Sequence, residues 1–248
     1  MATSLVAILS GGAWAGAPGT FEGRAQGFTT LKLACGAQSD VDLEDARGTE
    51  FGTGLHVLSG VLAKHKMNAD FTELPRKRGI AEARSGKYDG LCSCLAEEDL
   101  DSSFTYSEPL GRISVGAITN RRAAIPAGLD HEADLETRDL IWGVVTSDGS
   151  NSYLRQVGVR NFVRVESYQQ GFRMLDLRRV DVLLVEKSNA IGRDASAEFQ
   201  TRYRYEELLR PSVHLCLTGV RGKKIIDALN VTLRNLASHE RSGSAFLK

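Results

Sequence analysis

One unit is written twice in this chain. The stretch GIAEARSGKYDGL, which begins at Gly79, returns as GFRMLDLRRVDVL from Gly171, 92 residues later. Gly79 matches Gly171, Asp89 matches Asp181 and Leu91 matches Leu183, while Ile80, Ala83 and Tyr88 meet apolar counterparts in Phe172, Leu175 and Val180. Both copies sit in the same order of elements, which turns a short likeness into an internal repeat. In the first half, 31–34 reads as a strand. Leu55, Leu58 and Leu62, with Val57 and Val61, predict an amphipathic helix over LHVLSGVLAKH. A strand over 70–74 ends at Pro75, a helix over 76–85 is closed by Gly86, and 88–94 is the next strand. In the second half, LIWGVV (140–145) is a strand. A polar loop SDGSNS, a short helix YLRQVG, a strand over 162–165, a helix over 169–177 and a buried strand over 180–185 follow. Strands alternating with helices predict parallel α/β units, here in two similar lobes.

The tail adds a strand over VHLCLT (213–218) and a long helix over 223–239, with Ile225, Ile226, Leu229, Leu233 and Leu236 on its apolar face. This pair is expected to return to the first lobe, giving two crossovers, the first near Asn120 after RISVGAIT. The fold class is therefore α/β: two similar lobes, each a mainly parallel sheet flanked by helices, joined by two crossovers. Lobe 1 covers 31–116 plus 214–248, and lobe 2 covers 117–213. In open α/β sheets ligands sit beyond the carboxyl ends of the strands. Two such edges facing one another make a cleft walled by 92–96 and 185–188, with hinges near 117–120 and 210–214. The SDGSNS loop offers backbone N–H groups at a helix start, an anion seat or, failing that, an ordinary helix cap.

Composition narrows the partners. At 248 residues, 42% hydrophobic and 25% charged, the chain is neither disordered, collagenous nor coiled coil throughout. Lys plus Arg and Asp plus Glu both number 31, so the basic excess of a generic nucleic-acid binder is missing. No apolar run reaches the ~20 residues of a membrane span. SLVAILS followed by Ala13-Trp14-Ala15 reads as a signal peptide over 1–15, with 16–30 as a leader. The alternative is a weakly packed N-terminus, since no basic residue precedes the apolar run. The four cysteines, Cys35, Cys92, Cys94 and Cys216, allow three pairings. Cys35 closes the first strand, and Cys92 and Cys94 close the third. Cys-x-Cys is not a zinc spacing and the five histidines are scattered, so neither a metal nor a cofactor is expected.

Four stretches in order resemble the type II periplasmic binding proteins, specifically the bacterial extracellular solute-binding protein family 3. They are ELPRKRGIAEARSGKYDGL, FTYSEPLGRISVGAITN, IWGVVTSDGSNSYLRQVGVRNFVRVES and YQQGFRMLDLRRVDVLLVEKSNA. The resemblance covers about 200 residues. It implies that the first and third strands are adjacent, so Cys35 is expected within bridging reach of Cys92 or Cys94. It implies an exported, periplasmic, monomeric receptor that closes on a small solute and hands it to an ABC permease, a separate chain in the inner membrane. By position it implies Cys92, Ser93 and Cys94 as the first-lobe wall. Ser147, Asp148, Gly149 and Ser150 become the seat for a ligand carboxylate, and Glu186 the acid that reads an ammonium. Gln38 and Asp40, after the first strand, and Arg78, in a Pro-x-x-Arg arrangement, complete the candidate set. Departures bear on the ligand. The family's Thr-x-x-Arg is absent, its aromatic lid is replaced at Ser39, and Asp40, Glu97, Glu98, Asp99 and Asp148 make an acidic rim that disfavours anions and suits cations, such as an amine-bearing solute, or neutral polar solutes. Two rivals share the fold. One is an enzyme resembling the cyclohexadienyl dehydratases, with Glu186 as acid or base. The other is a ligand-sensing adaptor for a membrane partner.

Overall fold

The computed structural model describes residues 29–36, 42–44, 50–95, 100–123, 125, 129, 139–145, 150–191 and 197–242. Two sheets carry the fold. The first is built from β1 (Thr29–Cys35), β2 (Asp42–Glu44), β3 (Glu50–Thr53), β4 (Met67–Glu73), β5 (Gly90–Leu95), β6 (Phe104–Tyr106), β7 (Gly111–Arg112) and β13 (Ser212–Thr218). Its order is β3-β2-β7-β13-β5-β1-β4, with β6 paired to β13. The second holds β8 (Val115–Asn120), β9 (Trp142–Val145), β10 (Phe162–Val165), β11 (Val182–Glu186) and β12 (Tyr203–Leu209), in the order β10-β9-β11-β8-β12. The helices are α1 (Gly54–Lys64), α2 (Arg76–Arg84), α3 (Ser150–Val157), α4 (Tyr168–Asp176), α5 (Lys187–Ile191), α6 (Ala197–Arg202) and α7 (Gly219–Ser242). In each sheet three strands run parallel, β4-β1-β5 and β10-β9-β11, and the remaining pairings are antiparallel.

The repeated residues repeat their jobs. Asp89 accepts a hydrogen bond on Oδ2 from the Lys32 N–H (2.8 Å), while Asp181 accepts one from the Ile141 N–H (2.9 Å). The two aspartates thus lock each α2 or α4 turn onto the strand beside it. Gly79 and Gly171 are where helix meets sheet: a Cβ at Gly171 would lie 2.5 Å from Leu183 Cδ1, and one at Gly79 would lie 3.3 Å from Ala34 Cβ and 3.7 Å from Leu91 Cδ2. Leu91 and Leu183 are the buried strand residues beneath them. Both helices end in the same reversal. Lys87 N–H donates to Glu82 O (3.0 Å) and Arg179 N–H to Met174 O (2.8 Å), the long bond of a left-handed cap. The residue that must turn left-handed is Gly86 (φ +79°) in one copy and Arg178 (φ +54°) in the other.

The crossovers lie earlier than RISVGAIT suggests. That stretch is not one strand: β7 stops at Arg112, Ile113 and Ser114 pass between the sheets, and β8 starts at Val115 as a full member of the second sheet. The chain therefore crosses before this strand, not near Asn120. The physical reason is pairing: Val115 lies opposite both Glu186 of β11 and Leu209 of β12. The return runs from Leu209 to Ser212, and the two passages are tied together, with Arg112 opposite Ser212 and Ile113 N–H donating to Pro211 O (3.1 Å). One apolar cluster runs from Leu33 and Leu215 through Ile113 and Val115 to Val144 and Tyr153, so the passages are embedded in core.

All four cysteines are paired. Cys35–Cys92 joins β1 to β5 with Cα atoms 5.3 Å apart, and Cys94–Cys216 joins β5 to β13 at 6.3 Å. Cys35 thus bridges to a member of the Cys-x-Cys pair, and the first sheet is stapled across three adjacent strands. Bridges over 57 and 122 residues restrict the unfolded chain, each typically worth about 2–4 kcal/mol.

Arg178→Gly tests the repeat. Glycine takes the left-handed turn without a Cβ penalty, so the variant gains about 0.5–1 kcal/mol in denaturant unfolding. Gly86→Arg loses a similar amount, because a Cβ at Gly86 meets nothing within 4 Å and only the backbone decides. A destabilised Arg178→Gly would show that the arginine side chain outweighs its backbone.

Candidate functional site

Because β1, β4 and β5 are parallel, as are β9, β10 and β11, their carboxyl ends gather at one edge of each sheet. The two passages leave from those edges: Val115 is opposite Glu186 at the end of β11, and Val213 is opposite Leu95 at the end of β5. The ends of β1 and β5 are therefore joined to the ends of β9 and β11 through the hinge, which is the geometry of a cleft floor.

Glu186 sits at that floor, but it is not the solvated carboxylate expected of an open cleft. It is 6% exposed. Tyr153 Oη donates to its Oε1 (2.7 Å) and Asn189 Nδ2 to its Oε2 (2.6 Å). A buried carboxylate needs such donors to offset lost hydration. Tyr153 belongs to α3 and Asn189 to α5, so Glu186 knots the end of β11 to the helices that follow β9 and β11. Lys187, the next residue in the chain, turns its side chain elsewhere, toward Glu44.

The first-lobe wall also differs from expectation. Cys92 and Cys94 are buried and both sulfurs are spent in bridges, so neither thiol is available to a solute. Ser93, between them, points the other way and is half-buried. Its carbonyl accepts a hydrogen bond from Arg76 Nη1 (2.7 Å). Arg76, at the first turn of α2, is the arginine that reaches the end of β5. Arg78 does not: its side chain is 61% exposed and pairs with Glu82 (2.8 Å). Hydrogen bonds from Lys87 and then Arg78 hold the Glu82 carboxyl below its ordinary range. Gln38, Asp40, Ser147, Asp148 and Gly149 lie outside the described residues, as do Glu97, Glu98 and Asp99 of the acidic rim. Ser150 opens α3, with its side chain outside the description.

Sequence reasoning missed a polar cluster at the hinge itself. Ser114, in the first passage, shares a hydrogen bond with Tyr205 Oη (2.7 Å) and donates to Glu207 Oε2 (2.6 Å). Glu207 Oε1 accepts from Arg210 Nε (2.6 Å) in the second passage. Lys187 N–H donates to Ser114 O (2.9 Å), and Lys187 Nζ stands 3.5 Å from Glu44 Oε1 of β2. Burial pushes the Tyr205 phenol well above its usual value, with the Ser114 hydrogen bond opposing and the Glu207 and Glu44 charges adding. For Glu207 burial works against ionisation, but hydrogen bonds from Arg210 and Ser114 outweigh it and hold the carboxyl below its ordinary range. The members lie between 70 and 96 residues from Ser114 and share no motif, so only the paired passages could have revealed them. Among the described residues no group of three His, Cys, Asp or Glu side chains could hold a metal ion.

No protein-family model matches the chain, and no curated protein matches it. Solved structures do. The ligand-binding core of GluR0 complexed with L-glutamate aligns at 16% identity with a TM-score of 0.64, over 85% of this chain and 93% of that one. The B. pertussis BvgS periplasmic domain aligns at 17% and 0.60, over 88% of this chain and 44% of that one. Truncated, arginine-bound ArgBP from T. maritima aligns at 14% and 0.57, over 83% and 96%. The chain has the two-lobed type II periplasmic binding protein fold.

The buried setting of Glu186 changes what its removal does. Glu186→Gln exchanges an ionised acceptor for an amide that cannot accept from both Tyr153 and Asn189 on its two ends. Unfolding free energy falls by about 1–3 kcal/mol, the price of a mismatched buried hydrogen bond. Denaturant melts of wild type and variant check this, and unchanged stability would return Glu186 to the role of a solvated ligand contact.

Proposed function

We propose that this chain is an extracytoplasmic receptor that captures a small, polar, amine-bearing solute between its lobes and releases it by reopening. The supporting observation is the pairing of two carboxyl sheet edges across one hinge built from two hydrogen-bonded passages. Glu186, the acid that the enzyme alternative would use, is committed to Tyr153 and Asn189. In this reading Gln38, Asp40 and Ser93 face the solute from lobe 1. The 147–150 loop meets its polar end at the start of α3. Glu186 acts one step back, holding α3 in place through Tyr153. The recipient is a separate membrane chain, an ABC permease.

The second reading is sensory. The capture step is the same, and the occupied form signals instead of delivering.

Mass spectrometry of small molecules released from freshly purified, denatured protein tests the proposal. It is paired with calorimetry against arginine, glutamine and glutamate, the compounds bound by the solved neighbours. The expected result is a stoichiometric amine-bearing solute that rebinds unchanged. A converted product would establish an enzyme. No released compound together with no heat from any of the three would overturn the receptor reading.

A further inference from the structure

Glu44 is the least comfortable charge in the structure. It lies on β2 in the first sheet, 3% exposed, with Oε2 buried and lacking any hydrogen-bond partner. An ionised carboxylate in that state needs a nearby cation. The cation belongs to the other lobe: Lys187 Nζ, on the residue that follows β11, stands 3.5 Å from Glu44 Oε1. Each partner is fixed by its own lobe. Glu44 is held in register opposite Arg112 of β7 and Glu50 of β3, and Lys187 is held through its N–H on Ser114 O.

Around this pair the charges alternate. Lys187 also lowers the Glu207 carboxyl, and Glu44 acts on both Tyr205 and Arg210. Glu44, Lys187, Glu207 and Arg210 therefore form a neutral set of four, wrapped about the two passages. The Ser114–Glu207–Arg210 bonds lie within the hinge and survive its bending. The Glu44–Lys187 contact spans sheets that separate when it bends.

We propose that Glu44 and Lys187 form a latch across the hinge. With the pair formed, the lobes stay together without a solute. When it parts, Lys187 turns to Glu207, Glu44 regains water at its unpaired oxygen, and the cleft opens. The latch presupposes the two-lobed closing motion of the receptor reading but no solute, so its test is run on solute-free protein and its failure leaves capture untouched.

Small-angle scattering on wild type, Glu44→Gln, Lys187→Met and the exchanged pair Glu44→Lys/Lys187→Glu decides it, with thermal melts to confirm folding. Lys187 is 41% exposed, so Lys187→Met is the variant safest for the fold. In low salt the wild type is expected to be the most compact. Each single variant shifts the open-to-closed ratio by about fivefold, the worth of one partly exposed ion pair. Salt screens a partly buried pair only weakly, so all variants are compared in the same low-salt buffer. The exchanged pair restores compactness if it folds. An equal radius of gyration for wild type and Lys187→Met in low salt would overturn the latch.

Discussion

The structure depends on two short passages of chain lying side by side. Ile113 and Ser114 carry the backbone from the first sheet to the second, and Arg210 and Pro211 carry it back. Strands at both ends register them, Arg112 with Ser212 and Val115 with Leu209, and the Ile113–Pro211 bond closes the gap. Two bonded strands bend together far more easily than they shear or part, which gives a hinge with one soft direction. Ser114 makes the hinge tolerable inside the core. Its hydroxyl and carbonyl bind Tyr205, Glu207 and Lys187, so polar backbone between two apolar cores is not left unpaired.

Each lobe is held together in its own way. The first is stapled by two disulfides across β1, β5 and β13. The second has no cysteine. It relies on the β11 and β9 core, with Leu183, Val185, Val145 and Leu175 fully buried, and on the Glu186 knot that fastens α3 and α5. The same helix–turn–strand unit serves both. The cap glycine is kept in one lobe and replaced by Arg178 in the other, a local strain the second lobe tolerates.

The repeat was legible because packing demands it: Gly171 has no room for a side chain, and Asp89 and Asp181 do the same job on their own strands. Element types followed from periodicity for the same reason. The site was less legible. Glu186 was implied by its position in the family resemblance, yet position says nothing of Tyr153, 33 residues earlier, which takes its carboxylate out of solvent. Arg78 attracted notice by motif, but one helical turn begins at Arg76, and that earlier arginine faces β5 while Arg78 faces water. The hinge cluster was invisible in sequence because Glu44, Ser114, Lys187 and Glu207 meet only once the chain has crossed twice.

The proposed capture by closure requires two rigid bodies and one moving angle. Distances between spin labels at introduced cysteines measure this directly. Lys77 on α2 and Arg173 on α4 are exposed and lie in different lobes, while Lys77 and Lys223 of α7 share the first. Recorded with and without the small-molecule fraction of a cell extract, the Lys77–Arg173 distance should show two populations whose ratio changes, while Lys77–Lys223 keeps one. An interlobe distance as narrow and as unchanging as the intralobe one would contradict the account.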